Sequence, residues 1–158
     1  MTPAVVAARR ANIEFTLREY RHDPDAASYG LEAAEKLGLD PAQVFKTLVA
    51  KVDGRLVVAL VPVACSLDLK ALAAALDGKR AVMAEPAEAE RATGYVTGGI
   101  SPLGQKRRLP MVVDQSALAL PRIHVSAGRR GLEIELATQD LLRLCAARTA
   151  AIARSHHG

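Results

Sequence analysis

The run Val44-Phe45-Lys46-Thr47-Leu48-Val49-Ala50-Lys51-Val52-Asp53-Gly54-Arg55-Leu56-Val57-Val58-Ala59-Leu60-Val61-Pro62-Val63 decides the fold. Two stretches rich in β-branched residues flank Asp-Gly, a dipeptide that accepts the left-handed torsions of a two-residue hairpin turn. The spacing predicts one strand over 44–52, a turn at Asp53-Gly54 and a return strand over 55–63. The second arm is apolar at every position from Leu56 to Val61, so both of its faces are expected to be buried, as in a central strand. The first arm breaks the apolar pattern at one place. Counting in twos, Lys46 shares a face with Val44, Leu48, Ala50 and Val52. An ammonium there is costly unless its stem carries it to water or it lines a cleft. Thr47 points the other way at the same depth.

Outward from the hairpin, the chain alternates helical and extended signals. Thr2-Pro3 caps a helix over 4–11, and Phe15-Thr16-Leu17-Arg18-Glu19-Tyr20 reads as a strand. His22-Asp23-Pro24-Asp25 breaks the chain. A helix over 31–37 stops at Gly38, and Asp40-Pro41 starts a short helical turn. Further helices are predicted over 68–76, 86–92 and 138–147, and short strands over 111–113, 123–125 and 132–136. The tail from about residue 154, with Ser155, His156, His157 and Gly158, is expected to be frayed. With no repeat and no low-complexity linker, residues 1–158 read as a single mixed α/β domain.

Composition narrows the function classes. Half of the 158 residues are hydrophobic but only 3% are aromatic, so the core must be built from Val, Leu, Ile and Ala. The absence of tryptophan weakens any reading that needs a broad stacking platform for single-stranded nucleic acid. A formal charge of +4 permits an RNA partner without demanding one. Cys65 and Cys145 are far apart and form no C-x-x-C pair, and His22, His124, His156 and His157 lack metal-ligand spacing. Two reduced thiols, no metal and no cofactor are therefore expected. At the N-terminus the charges follow the apolar residues, the reverse of a secretory signal, and no run approaches the roughly 18 apolar residues of a membrane span. A soluble, cytoplasmic protein without a membrane partner is the expectation.

The stretch Gly98-Gly99-Ile100-Ser101-Pro102-Leu103-Gly104-Gln105-Lys106-Arg107-Arg108-Leu109-Pro110 carries the strongest functional signal. Glycines let main-chain N–H groups approach a ligand, and three cations follow at once. Such a loop suits an anionic or ester-bearing substrate. It is not a nucleotide-triphosphate loop, because Gln105-Lys106-Arg107 stands where Gly-Lys-Ser/Thr is needed and Pro102 removes an amide. Ser126-Ala127-Gly128-Arg129-Arg130-Gly131 reads as a second glycine-containing turn after a strand, able to hold phosphate or ribose. No histidine–carboxylate pair is placed near a nucleophile, so a hydrolase triad is unsupported.

Taken together, the opening Met1-Thr2-Pro3-Ala4, Tyr20-Arg21-His22-Asp23-Pro24, Phe45-Lys46-Thr47-Leu48, Ser66-Leu67-Asp68-Leu69-Lys70, Thr93-Gly94-Tyr95, the glycine–proline loop and Ser126-Ala127-Gly128-Arg129-Arg130-Gly131-Leu132 resemble one family. The chain is similar to the YbaK/EbsC-type Cys-tRNA(Pro) deacylases, free-standing relatives of the editing domain of bacterial prolyl-tRNA synthetases. The resemblance implies a mixed, largely antiparallel sheet curved into a barrel-like core with helices outside. It implies removal of cysteine from mischarged tRNA, with the substrate's own thiol attacking the ester and leaving as a cyclic thiolactone. On that basis Lys46 and Gly98 are the expected catalytic residues. Lys46 holds the terminal adenosine, and the Gly98 amide meets the ester carbonyl. Tyr20, Thr47, Gly99, Pro102 and Ser126 are expected to bind substrate. Glu133 stands where some relatives have aspartate or serine, and no role is carried over to it. The implied partners are the aminoacylated tRNA end and prolyl-tRNA synthetase. Competing expectations are a deacylase for another small amino acid such as alanine, a non-catalytic tRNA- or synthetase-binding module, and a phosphate-binding regulator.

Overall fold

The computed structural model describes residues 1–26 and 28–155. In chain order the strands are β1 (Phe15–Glu19), β2 (Phe45–Val52), β3 (Arg55–Pro62), β4 (Cys65–Leu67), β5 (Ala81–Met83), β6 (Met111–Asp114), β7 (Arg122–Arg129), β8 (Leu132–Ala137), β9 (Arg148–Ala150) and β10 (Ala153–Ser155). The helices are α1 (Pro3–Arg10), α2 (Tyr29–Leu37), α3 (Leu69–Ala75), α4 (Pro86–Thr93) and α5 (Thr138–Leu144). No helix among the described residues is long and apolar enough to cross a membrane.

The hairpin forms as its sequence predicts. β2 and β3 pair antiparallel from Phe45↔Pro62 to Val52↔Arg55, and both turn residues are left-handed, Asp53 at φ 50 and Gly54 at φ 83. The Asp53 carboxylate accepts hydrogen bonds from the Lys79 and Arg80 amides, which ties the turn to the start of β5. These strands sit in a five-stranded sheet of order β5-β2-β3-β6-β9, whose β3–β6 and β6–β9 pairs are parallel. β3 is central and buried on both faces. Val58 and Leu60 face the larger core, while Val57, Ala59 and Val61 face a smaller one built with Leu72 and Ala73 of α3 and Ile152.

A second sheet, β1-β8-β7, is wholly antiparallel and lies across the larger core. Its Ile123, Val125, Ile134 and Leu136 pack with Phe45, Val49, Val58 and Leu60 and with Ala4, Val5 and Ala8 of α1. The two sheets meet through a single parallel bridge, Val44↔His124. The expected mixed and largely antiparallel sheet is thus present and curled, but it is split and does not close into a barrel. α1 is docked by Thr2, whose hydroxyl accepts from the Val5 amide and donates to the Ala127 carbonyl.

Several local expectations are corrected. The final helix ends at Leu144 rather than at 147, because Ala146 adopts a left-handed φ of 48 and the Ala147 amide turns back to the Leu142 carbonyl. The freed residues form β9. Arg154 and Ser155, expected to be frayed, belong to β10, which pairs with β4; His156, His157 and Gly158 lie outside the described residues. The buried Asp114 carboxylate fixes this crossing by accepting from the Ile152 and Ala153 amides at 3.0 and 2.9 Å. Finally, Ser126 to Gly128 is not a strand-ending turn. β7 runs on to Arg129 through a bulge, and the reversal falls at Arg130-Gly131.

Candidate functional site

β5 covers β2 only at Ala50, Lys51 and Val52, so the first half of β2 is a free edge. The Ala84 amide donates to the Val49 carbonyl just beyond the last pair. By the period of two, the N–H and C=O of Thr47 face the same side, where no strand follows. A cavity of about 400 Å³ opens there, between this edge, the β7–β8 end of the second sheet, the start of α2 and the loop at Gly98. Its lining includes Tyr20, Tyr29, Lys46, Thr47, Gly98, Ser126 and Glu133. That volume falls in the range of small-molecule sites.

Lys46 reaches this cavity from the face it shares with Ala50 and Val52 in the smaller core. Burial lowers the pKa of its ammonium, an effect that the neighbouring Cys65 only partly offsets. No carboxylate among the described residues pairs with it. The ammonium is therefore held in a cleft wall with its electrostatic capacity unspent.

The glycine loop is positioned by the β7–β8 hairpin. Arg130 donates from Nε and Nη2 to the Thr97 carbonyl at 3.0 and 2.5 Å, while its guanidinium lies 4.5 Å from the centre of the Tyr29 ring. Gly98 sits inside this bracket with φ 89, and a Cβ there would approach Tyr29 and Arg130 to 2.7 Å. Gly98→Ala is expected to destabilise the protein by about 1–3 kcal/mol through the forbidden torsion and the overlap, measurable by thermal unfolding. A variant as stable as the parent would show that the bracket yields freely.

Gly99 and Pro102 are placed differently from their expected substrate contacts. The Gly99 amide donates to the Val96 carbonyl, and a Cβ there would meet the Arg129 backbone at 2.8 Å, so this glycine serves close packing. Pro102 is buried and lines a separate cavity of about 260 Å³ with Arg107, Arg108 and Cys145. Its carbonyl accepts from the Cys145 thiol at 3.4 Å. Burial pushes that thiol up to about 12, leaving it protonated and unreactive. The structure therefore brings together Tyr20, Lys46, Thr47, Gly98 and Ser126, and leaves Gly99 and Pro102 behind them.

Glu133 completes the cavity. It stands on β8, the middle strand of its sheet, in register with Ser126 on β7 and Arg18 on β1. Its side chain is buried, and its Oε2 has no hydrogen-bond partner. Burial pushes the carboxyl from its usual 4.5 up to about 8. The Thr47 hydroxyl is also buried without a partner. The Tyr20 phenol is pushed up by burial, with Glu133 adding to the rise. The Ser126 hydroxyl accepts from the Gly128 amide at 3.1 Å and so holds the bulge.

The free strand edge, the unpaired lysine and the bracketed glycine of this cavity, and all its lining residues but Tyr20, lie within the segment 23–144 that matches the model of the aminoacyl-tRNA editing domain family. The chain belongs to that family. It is 42% identical over 113 residues to a protein of Enterococcus faecalis named a Cys-tRNA(Pro)/Cys-tRNA(Cys) deacylase, EbsC, covering 70% of this chain and 68% of that one. It is 34% identical over 116 residues to the Escherichia coli protein named multifunctional Ser/Thr-tRNA deacylase ProXp-y, covering 70% of each. A crystal structure described as a candidate trans-editing enzyme for prolyl tRNA synthetase shares the fold, with a TM-score of 0.82 at 23% identity over 97% of this chain and 96% of that one.

The burial of two carboxylates of this editing domain escapes a reading of the sequence. Glu133 lies in the alternation Leu132-Glu133-Ile134-Glu135-Leu136, which turns both acids away from the face that Leu132, Ile134 and Leu136 bury in the larger core. Only the neighbouring strands and loop cover one of them. Glu32 is the other. Burial alone would raise its pKa, yet hydrogen bonds from His22 Nδ1 at 2.8 Å, the Asp23 amide at 2.7 Å and Lys36 hold it at about 2. That carboxylate anchors the chain between Tyr20 and Tyr29, which both line the cavity. The spacing of Glu32 and Lys36, one helical turn apart, is the only sequence signal for it.

Proposed function

We propose that this editing domain is an aminoacyl-tRNA deacylase that acts in trans on cysteine misloaded onto tRNA(Pro). The observation that carries the reading is the pairing, in one cavity, of an unneutralised lysine and a backbone-lined glycine turn with no lining hydroxyl hydrogen-bonded to a base among the described residues. The hydroxyls there are Tyr20, Ser28, Tyr29, Thr47, Thr97 and Ser126, and no histidine lines the cavity beside them. An apolar pocket without an activated nucleophile favours a substrate that brings its own, and a cysteinyl ester does. The 42% identity to the EbsC deacylase supports the same substrate class.

Lys46 holds the terminal adenosine end by charge, and the Gly98 amide polarises the ester carbonyl where negative charge develops. Tyr20, Thr47 and Ser126 line the bound aminoacyl group, with the outward-facing Thr47 backbone available to its polar atoms. The thiol sulfur bonds to the carbonyl carbon, the ester C–O bond breaks, and a thiolactone and free tRNA result. The chain works as one domain in the cytoplasm, with prolyl-tRNA synthetase as the partner that supplies tRNA selection. Mass spectrometry of the sulfur-containing product tests this directly. Release of the thiolactone is the expected result, and cleavage of Ala-tRNA but not Cys-tRNA would overturn the reading. Ser- and Thr-charged tRNA belong in the same comparison, because the E. coli relative is named for them.

A further inference from the structure

We propose that Glu133 is the proton carrier of the reaction, taking the proton of the substrate's thiol and returning it to the ribose oxygen that leaves. This inference rests on the thiol-assisted reading above and deepens it.

The balance of the step demands such a group. As sulfur bonds to the carbonyl carbon it sheds a proton, and as the C–O bond breaks the ribose oxygen needs one. The ionised fraction of Glu133, which grows as pH approaches about 8, accepts the first, and the acid form so produced delivers it to the second. The carboxylate is restored when thiolactone and tRNA are free. Few groups of the cavity can do this. Its other titratable lining side chains are the phenols of Tyr20 and Tyr29, the first weakened further as an acid by burial, and the cations of Lys46 and Arg129. Glu133 is the one carboxyl group among the lining residues, and its Oε2 is buried with no partner.

The surroundings keep it free for the task. Arg18 stands beside it in register but turns its guanidinium to Glu135, 3.3 Å away. Ser126, its partner on the other side, accepts from the Gly128 amide, and among the described residues it makes no hydrogen bond to Glu133. Tyr20 shares the cavity as a neutral phenol, and no ion pair joins Lys46 to Glu133 among the described residues. Burial brings the carboxyl to about 8, close to the ordinary value of a thiol, so the proton can pass either way without a large energetic step.

The test is Glu133→Gln in the full chain, assayed on Cys-tRNA(Pro) under single turnover, with the uncatalysed rate subtracted. At pH 7 the maximal rate is expected to fall about 100-fold or more while the half-saturating concentration stays near that of the parent. The deficit should shrink as pH rises above about 8.5, where the substrate's thiolate forms unaided. Glu133→Asp should recover part of the rate. A deficit confined to half-saturation, or one equally large at pH 7 and pH 9, would overturn the proposal and mark Glu133 as an anchor for the substrate's ammonium. Failure of the parent protein to release thiolactone would instead refute the reading on which it rests.

Discussion

Lys46→Ala is expected to lower deacylation of Cys-tRNA(Pro) by about 100- to 1000-fold, the loss typical of removing one preorganised electrostatic contact from a water-poor site. The fold should survive, and the sign of the stability change follows from the pKa. Burial lowers the Lys46 ammonium below its usual value, so the folded state binds that proton less tightly than the unfolded chain does. The charge therefore opposes folding at neutral pH, and its contribution becomes less unfavourable as pH rises toward the lysine range. Removing it leaves a chain that is at least as stable. Single-turnover assays alongside urea titrations separate the two effects. Normal cleavage by the variant would remove Lys46 from the site, whereas an unfolded variant would mean that the half-buried stem carries packing on which β2 depends.

Glu133 should dominate the pH dependence of stability. Its carboxyl sits at about 8 in the fold against 4.5 when exposed, so between those values the folded protein keeps a proton that the unfolded chain has lost. Stability is present below pH 4.5 and is lost as pH rises through about 8, by something on the order of 5 kcal/mol. Glu133→Gln cannot ionise and should be free of that slope. Denaturant titrations at pH 5 and pH 8 are expected to show the two proteins converging at the lower pH and the variant well ahead at the higher. Parallel profiles would mean that the carboxyl is ionised in the fold and has a counterion. The same variant is predicted to be the poorer enzyme, so the acid would be kept at the expense of stability, as polar groups at reactive sites often are.

Much of the fold was legible because its signals are local. Asp53-Gly54 between two β-branched runs specifies a hairpin by torsion alone, Gly38 stops α2 at a left-handed residue, and Thr2 caps α1. The apolar run of β3 announces a strand buried on both faces. What failed were the segments too short or too plain to carry a pattern. β4, β5, β9 and β10 each hold three residues, fewer than one clear alternation, and they exist because a longer strand or a buried carboxylate such as Asp114 gives their backbone a partner. The run Leu144-Cys145-Ala146-Ala147 reads as helix from propensity, and the approach of β9 to β6 overrides it.

For the site, the amino-acid sequence determined the parts that depend on residue type: a lysine on an apolar strand face, a glycine that must be a glycine, and the absence of a triad. Those choices are written into side-chain chemistry and backbone torsion, which do not need the rest of the molecule to be read. The tertiary structure alone decided which of them meet. It placed Gly98 on the cavity and Gly99 and Pro102 behind it, closed Arg130 over Tyr29, and covered one acid of an alternating pair while exposing the other more. The reason is physical: burial, and with it the pKa of Glu133 and the cost of an unpaired Lys46, is a property of what packs nearby in space, and residues far apart in the chain supply it.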